Sequence, residues 1–300
     1  MSHALRRLGE SDLVVGPVAF GCWRFAGTDV DVARSKIELA LQLGLNLIDT
    51  ADIYGYGGRS DDDLGFGDSE LLLGEVLRAE PSLRDAMVLA TKGGIRPPIP
   101  YDSSPAYLRS ACEDSLRRLG VDRIDLYQVH RPDLLAHPED TAAILTELVR
   151  SGKVRHVGVS NYSVGQTSAL AALMGEPIVT TQPEFHLLRL DPIDDGTFDH
   201  AMANRVTPLA WSPLAGGRLA SPDCDGRPEL AAALDQLASQ HGVDRSAIAI
   251  AAVLAHPSAP VAIIGTQNPV RMRQQAAAAD VVLDRTEVYS LFTAAGRTLP

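Results

Sequence analysis

What most constrains this chain is a change of hydrophobic period that repeats eight times. Short runs rich in Val, Ile and Leu fall at residues 17–21, 46–49, 87–92, 125–130, 154–160, 178–182, 206–211 and 261–265. Between them lie longer stretches whose apolar residues recur at helical spacing. One is Leu108, Ala111, Cys112, Ser115, Leu116 and Leu119, and another is Leu230, Ala233, Leu234, Leu237, Ala238 and His241. Strands that alternate with helices pair in parallel through right-handed crossovers. Runs that are apolar throughout need cover on both faces of the sheet. Eight such units close into a (β/α)8 barrel, the TIM-barrel architecture. The rival is an open doubly wound sheet with a Gly-rich dinucleotide turn after its first strand. Here the first run is followed by Gly21-Cys22-Trp23-Arg24, which is no such turn.

The expectation is one barrel domain over residues 1–300. Residues 5–7 and 13–15 flank the turn-rich Gly9-Glu10-Ser11-Asp12, which predicts a β-hairpin able to plug the bottom of the barrel. Helices near 270–279 and 285–295 are predicted to close the chain. His241-Gly242 reads as a helix C-terminus, where a cationic side chain suits the dipole. No apolar run is long enough to span a bilayer, and the N-terminal residues lack the apolar core of a signal peptide. Three cysteines are too few and too scattered for a disulfide framework or a metal site, so a cytoplasmic location is expected. With 27 basic against 38 acidic residues, a net charge of −11 argues against nucleic acid or an acidic membrane as partner. The sequence assigns no oligomeric state.

Active residues of such barrels sit at the C-terminal ends of the strands. Those ends carry Trp23, Asp49, Lys92, His130, Ser160 with Asn161, Gln182, Trp211 and Gly265, and the opposite ends are expected to carry nothing comparable. Tyr54 follows Asp49 by five residues and can swing its phenol over the mouth. An ordinary phenol, with a pKa of about 10, is a poor acid at neutral pH. Lys92 is expected to lower that value by stabilising the phenolate, with Asp49 holding Lys92 charged and in place. Tyr54 then serves as a proton donor to a developing alkoxide, and His130 orients the same oxygen. An acid, its tuner, its anchor and a positioning group suit carbonyl reduction.

Asp49-Thr50-Ala51-Asp52-Ile53-Tyr54-Gly55, Thr91-Lys92-Gly93, Val129-His130, Gly158-Val159-Ser160-Asn161-Tyr162 and Trp211-Ser212-Pro213-Leu214 together resemble the signature of the aldo-keto reductases, in that family's order and spacing. The resemblance runs from about Gly21 to the final helix. It implies a catalytic tetrad of Asp49, Tyr54, Lys92 and His130, and NADPH as cofactor, with NADH the lesser choice. Ser160, Asn161 and Gln182 would hold the nicotinamide carboxamide, and Trp211 would stack on its ring. Gly21, Cys22, Trp23, Asp49, Ser212, Pro213, Leu214 and Gly216 would contribute further contacts. Gly265, Thr266, Gln267, Arg271, Gln274 and Gln275 would bind the adenosine phosphate end. Trp23, Tyr54, Tyr56, His130 and Arg131 would meet a small carbonyl substrate. Residues 97–101 and Phe185 are further candidates for the pocket wall.

Three departures stand out. Trp211 occupies the stacking position usually held by Tyr or Phe, and its larger face should preserve the stack. Arg271 alone is an evident partner for a 2′-phosphate, helped by donors of Thr266 and Gln267 near a helix start. The segment between Tyr54 and Ser69-Glu70-Leu71-Leu72-Leu73-Gly74 is lengthened. Its 55–67 stretch reads as a solvated loop or a lid, and Asp61-Asp62-Asp63 lacks the Gly and Glu of a metal loop.

Blander readings stand beside these. A lone strand-end lysine is usually solvated, and a lone histidine is usually a capped core residue. Cys22 reads as a small buried apolar side chain with no cationic partner beside it. Two other functions also fit the fold: a Schiff-base lyase or isomerase using Lys92, and a cofactor-binding regulatory barrel. The substrate stays open among aldehydes, ketosugars, pyridoxal-like rings and secondary metabolites.

Overall fold

The computed structural model describes residues 5–57 and 65–299. The strands are β1 (Arg6–Arg7), β2 (Val14–Val15), β3 (Val18–Gly21), β4 (Leu47–Asp49), β5 (Val88–Gly93), β6 (Ile124–Val129), β7 (Val154–Ser160), β8 (Ile178–Gln182), β9 (Thr207–Trp211) and β10 (Val261–Ile264). The helices are α1 (Val30–Gln42), α2 (Asp68–Ala79), α3 (Ser82–Asp85), α4 (Pro105–Leu119), α5 (Pro138–Arg150), α6 (Val164–Ala171), α7 (Asp191–Asp194), α8 (Thr197–Ala203), α9 (Pro228–His241), α10 (Arg245–Leu254), α11 (Pro269–Ala276) and α12 (Arg285–Ala294). Strands β3 to β10 are parallel neighbours in chain order and close into a barrel through the β10–β3 pair. Each of the eight apolar runs is therefore a barrel strand. No helix among the described residues is long and apolar enough to cross a membrane.

The sequence explains the local choices. Helix α4 starts with Ser104 accepting from the Tyr107 amide and Pro105 in its first turn, and ends at Gly120 in the left-handed region (φ +66°). Helix α9 ends at His241, with Gly242 at φ +66°, as the His-Gly pair predicts. Along β6 the strand alternates. Tyr127 and Val129 pack outward against the helices, while Leu126 belongs to the cluster that fills the barrel.

The hairpin β1–β2 is the plug. Leu8, Leu13 and Val15 are buried in one cluster with Ala19, Leu47, Val88, Leu126, Leu209 and Val261 from the strands. The Gly9 amide donates to Thr207 Oγ1 at 2.8 Å, fastening the turn to β9.

One expectation about the strand ends is corrected here. Asp125, at the start of β6, is 2% exposed. It accepts from Arg84 and Arg155, each at 2.8 Å, and from the Leu89 amide at 2.9 Å. A buried charge cluster thus lies at the bottom as well. The two arginines are distant in sequence, which is why strand ends read singly do not reveal it.

Candidate active site

At the opposite end lies a cavity of about 1160 Å³, walled by the segments that follow the strands. Asp49, Tyr54 and His130 line it, and Lys92 lies just behind them with no exposed surface. The Lys92 ammonium donates to Asp49 Oδ2 at 2.6 Å, to the Thr50 carbonyl at 2.9 Å and to Tyr54 Oη at 3.0 Å. Its three protons are matched by three acceptors. Burial disfavours the charge, but Asp49 and Tyr54 outweigh it, and the lysine is held above its ordinary pKa. Asp49 Oδ1 accepts from Gln182 Nε2 at 3.1 Å and from Gln128 Nε2 at 3.4 Å, so both carboxylate oxygens are engaged.

The expected lowering of the Tyr54 pKa is not found. Burial raises it above 10, Lys92 pulls it down, and burial wins. The phenol therefore keeps its proton throughout the neutral range. His130 is pushed well below its usual pKa, first by burial and then by the charges of Lys92 and Arg131, so the imidazole is neutral. Its ring meets that of Tyr54 edge-on at 5.8 Å between centroids. The buried His130 Nδ1 has no partner.

The wall beyond Tyr54 is built from β7, β8 and β9. Asn161 Nδ2 donates to Ser160 Oγ at 2.7 Å, Ser160 Oγ donates to the Gln182 carbonyl at 3.2 Å, and Trp211 Nε1 donates to Asn161 Oδ1 at 3.0 Å. Asn161 and Ser212 hold φ of +58° and +55° directly after their strands. Such strain in non-glycine residues concentrates at working sites. The Arg131 guanidinium lies 5.8 Å from the centre of the Trp211 ring.

The cavity continues over Gly216, Gly265, Thr266, Gln267 and Arg271 to Gln274 and Gln275. A Cβ built on Gly216, Gly217 or Gly265 would meet nothing within 4 Å, so a ligand can approach bare backbone there. Gln267 Oε1 is buried without a partner. Open backbone and an unspent amide oxygen along an elongated cleft fit the phosphate and adenosine parts of a dinucleotide. Asn268 accepts from the Val270 and Arg271 amides, so the first donors of α11 are already used, and the Arg271 side chain is the cation at this end of the cleft, with Arg24 and Arg131 elsewhere on its wall.

All of the residues expected to bind cofactor or substrate line this cavity except Cys22, which is fully buried and donates its amide to the Asp49 carbonyl at 2.8 Å. Burial raises its thiol pKa, consistent with a packing role. Phe185 packs at 4.7 Å against Phe198 and does not line the cavity, nor do residues 97–101. The sequence reading missed Arg24, Ile53, Ile95, Asp244 and Ser246, which do line it. Asp244 and Ser246 were missed because they belong to the start of α10, two helices beyond β9. The Asp61-Asp62-Asp63 run and the middle of the 55–67 loop lie outside the described residues.

The sequence profile described as the Aldo/keto reductase family matches residues 17–294. A relative from Novosphingobium aromaticivorans, named 6-dehydroglucose reductase, is 50% identical and covers 99% of this chain and 97% of its own. One of the same name from Agrobacterium fabrum is 38% identical, covering 97% and 98%. Among solved structures, the thermostable aldo-keto reductase Tm1743 in complex with the inhibitor epalrestat superposes with a TM-score of 0.82 at 26% identity, covering 97% of this chain and 99% of that one.

Proposed function

The chain belongs to the aldo/keto reductase family, and on that premise we propose that it reduces the carbonyl group of a sugar-like aldehyde to the alcohol, with NADPH as reductant and Tyr54 as general acid. The observation that carries this reading is Tyr54, which lines the cavity while its hydroxyl accepts from a fully buried ammonium at 3.0 Å. Ser160, Asn161, Gln182 and Trp211 would hold the nicotinamide end, and Gly265 to Gln275 the adenosine end, with Arg271 meeting the 2′-phosphate. Bound there, the reduced nicotinamide supplies the hydride.

The residues of the chain do the rest. A neutral His130 has one N–H to give and can hydrogen-bond a carbonyl oxygen without putting a second proton into the site. Tyr54 then gives its proton to that oxygen as negative charge gathers on it. An alkoxide is a far stronger base than a phenolate, so the transfer runs downhill even from a phenol with a raised pKa. The Lys92 ammonium steadies the phenolate left behind, and Asp49 keeps the ammonium in place. A Schiff-base role for Lys92 finds no support, because an amine nucleophile needs a free lone pair and this nitrogen is an ammonium that donates three hydrogen bonds.

The two relatives named 6-dehydroglucose reductase make that sugar aldehyde the first substrate to try. The test is oxidation of NADPH, and separately of NADH, with 6-dehydroglucose and with a simple aromatic aldehyde, by the native protein and by Tyr54→Phe. Turnover by the native protein, with kcat lower by about 10²–10⁴ in the variant, is expected. A variant as active as the native protein removes Tyr54 as the acid. NADPH binding without turnover of any aldehyde turns the reading to a regulatory barrel.

A further inference from the structure

An acidic residue in the first turn of a helix ordinarily faces water and the helix dipole. Glu70, in the first turn of α2, is instead fully buried. Its Oε1 accepts from Thr91 Oγ1 at 2.5 Å and its Oε2 from Arg118 Nε at 2.7 Å. Thr91 precedes Lys92 in β5. Ser69, also fully buried, donates its amide to the Tyr54 carbonyl at 3.1 Å and its hydroxyl to the Cys22 carbonyl at 3.0 Å. Cys22 in turn donates its amide to the carbonyl of Asp49. Two adjacent residues therefore reach the ends of β3, β4 and β5, where Asp49, Tyr54 and Lys92 stand. Neither lines the cavity.

The chain is also pinned where it leaves and rejoins this rim. Gly55, at φ +106°, approaches Gly65 so closely that a Cβ on it would lie 2.4 Å from the Gly65 carbonyl oxygen. Helix α2 in turn sits hard on α4, since a Cβ on Gly74 would meet the Arg118 carbonyl at 2.1 Å. The partner of Glu70 thus comes from an element that is itself fixed. A buried carboxylate brings a large desolvation penalty, and helix stability alone does not require one here.

We propose that Ser69 and Glu70 act as a positioning bracket for the reaction, tying together three strand ends so that Tyr54 Oη and Lys92 Nζ stay within hydrogen-bond distance. This deepens the reductase reading and rests on it. The two residues touch no reacting atom and act through Thr91, Cys22 and the Tyr54 backbone.

The test compares Thr91→Val with Thr91→Ser. Valine keeps the shape of threonine and loses the hydroxyl, whereas serine keeps the hydroxyl and loses the methyl. A packing role ranks valine above serine, and the bracket ranks serine above valine. The expected result is a kcat about tenfold lower in Thr91→Val, with KM for NADPH little changed and Thr91→Ser close to native. A looser Tyr54–Lys92 contact also stabilises the phenolate less, so the alkaline limb of kcat moves to higher pH in the valine variant only. Native-like kcat and pH profile in Thr91→Val, or valine more active than serine, overturns the bracket. Should Thr91→Val not fold, Ser69→Ala decides in its place. It cuts only the Cys22 link, and an unchanged kcat and alkaline limb there overturn the proposal.

If the native protein itself fails to turn over, the reductase reading fails first. The bracket is then read without activity, from the near-ultraviolet absorbance of the Tyr54 phenolate, isolated by difference against Tyr54→Phe. A titration that stays put in Thr91→Val sinks the bracket independently.

Discussion

Each end of the barrel buries a carboxylate, and the two differ in where their hydrogen bonds lead. At the bottom, Asp125 is closed off by Arg84, Arg155 and the Leu89 amide. Both arginines are part-exposed, and their remaining donors go to the Met87 and Arg123 carbonyls from Arg84 and to Asp12 from Arg155. At the top, Asp49 binds Lys92, Lys92 binds Tyr54, and Tyr54 opens onto the cavity. One network ends in backbone carbonyls and a surface carboxylate, and the other ends at the phenol of a residue that lines the cavity. Burial of charge alone does not mark a working site. On the proposed reductase reading, the working end is the one whose buried ion has a last partner still free to react.

The largest expected effect comes from cutting the upper network at its centre. Lys92→Met keeps the length of the stem and removes the charge. Asp49 is left buried without its counter-ion, which costs about 3–5 kcal/mol when a buried pair is broken. The loss of phenolate stabilisation should lower kcat by about 10³. Thermal unfolding and steady-state kinetics read the two effects apart. A variant that unfolds earlier yet keeps native kcat would reduce the upper network to a structural one, no different from the lower.

Asp125→Asn makes the matching cut at the bottom. Its arginines can turn to water, so the loss should be about 2 kcal/mol, nearer that of a hydrogen bond to a charged group than of a broken buried pair. Activity of the folded variant should stay within about twofold of native, as for residues far from the reacting atoms. A tenfold fall in kcat with little change in melting temperature would mean that the two ends communicate, and the contrast drawn above would be wrong.

Acid titration sharpens the same contrast. The folded pKa of His130 is depressed well below its unfolded value of about 6.5. In that interval the unfolded chain binds a proton that the folded chain does not. Stability is therefore full above about pH 6.5 and falls as the pH drops below it. The imidazole in the folded site stays neutral, so kcat should show no acidic limb near 6.5. On the alkaline side Tyr54, raised above 10, keeps its proton, and the reductive rate should hold through neutral and moderately basic pH. A pH–rate profile with a step at 6.5 would show His130 charged in the working enzyme.

Much of this was legible in the residues. The runs at 154–160 and 178–182 have the bounds observed, and the other barrel strands differ from expectation by a residue or so at their ends, because an apolar run carries its own boundary when turn residues flank it. Three of the four site groups, Asp49, Lys92 and His130, were visible as polar or ionisable residues ending apolar strands. Tyr54 was legible from its spacing five residues after Asp49, although its exact place depends on how the chain turns after β4, and the family pattern pointed to it as well. Glu70 was hidden, because an acid in a first helical turn has an ordinary explanation in the dipole. Gln128 looks like one polar residue in an apolar strand, and its approach to Asp49 needs Leu126, Gln128 and His130 to share the inward face. A Cβ on Gly158 would lie 2.0 Å from Thr180 Oγ1 and 3.2 Å from Gln128 Cγ, so glycine leaves room there for both polar side chains. The direction of the Tyr54 shift was misjudged because charge pairing can be read from the ends of successive strands, whereas depth of burial is set by the closed barrel.

The smallest expected effect concerns the plug itself. Asp12, in the hairpin turn, bonds His156 at 2.7 Å and Arg155 at 2.5 Å, and these contacts lower its pKa to about 2. For a depressed carboxylate, stability is present above the unfolded value of about 3.9 and is lost as the pH falls towards 2. Asp12 is two-thirds exposed at its side chain, so solvent screens most of that gain, leaving it within the 0–1 kcal/mol usual for surface pairs. Asp12→Asn should therefore shift acid unfolding slightly, leave kcat unchanged, and destabilise less than Asp125→Asn, although both touch Arg155. The reverse order in thermal unfolding would mean that the lower end is held by anchoring the hairpin to β7 rather than by the buried carboxylate. The bottom of the barrel would then be a lid fastened at its edge, and its comparison with the upper network would have to be drawn at Asp12.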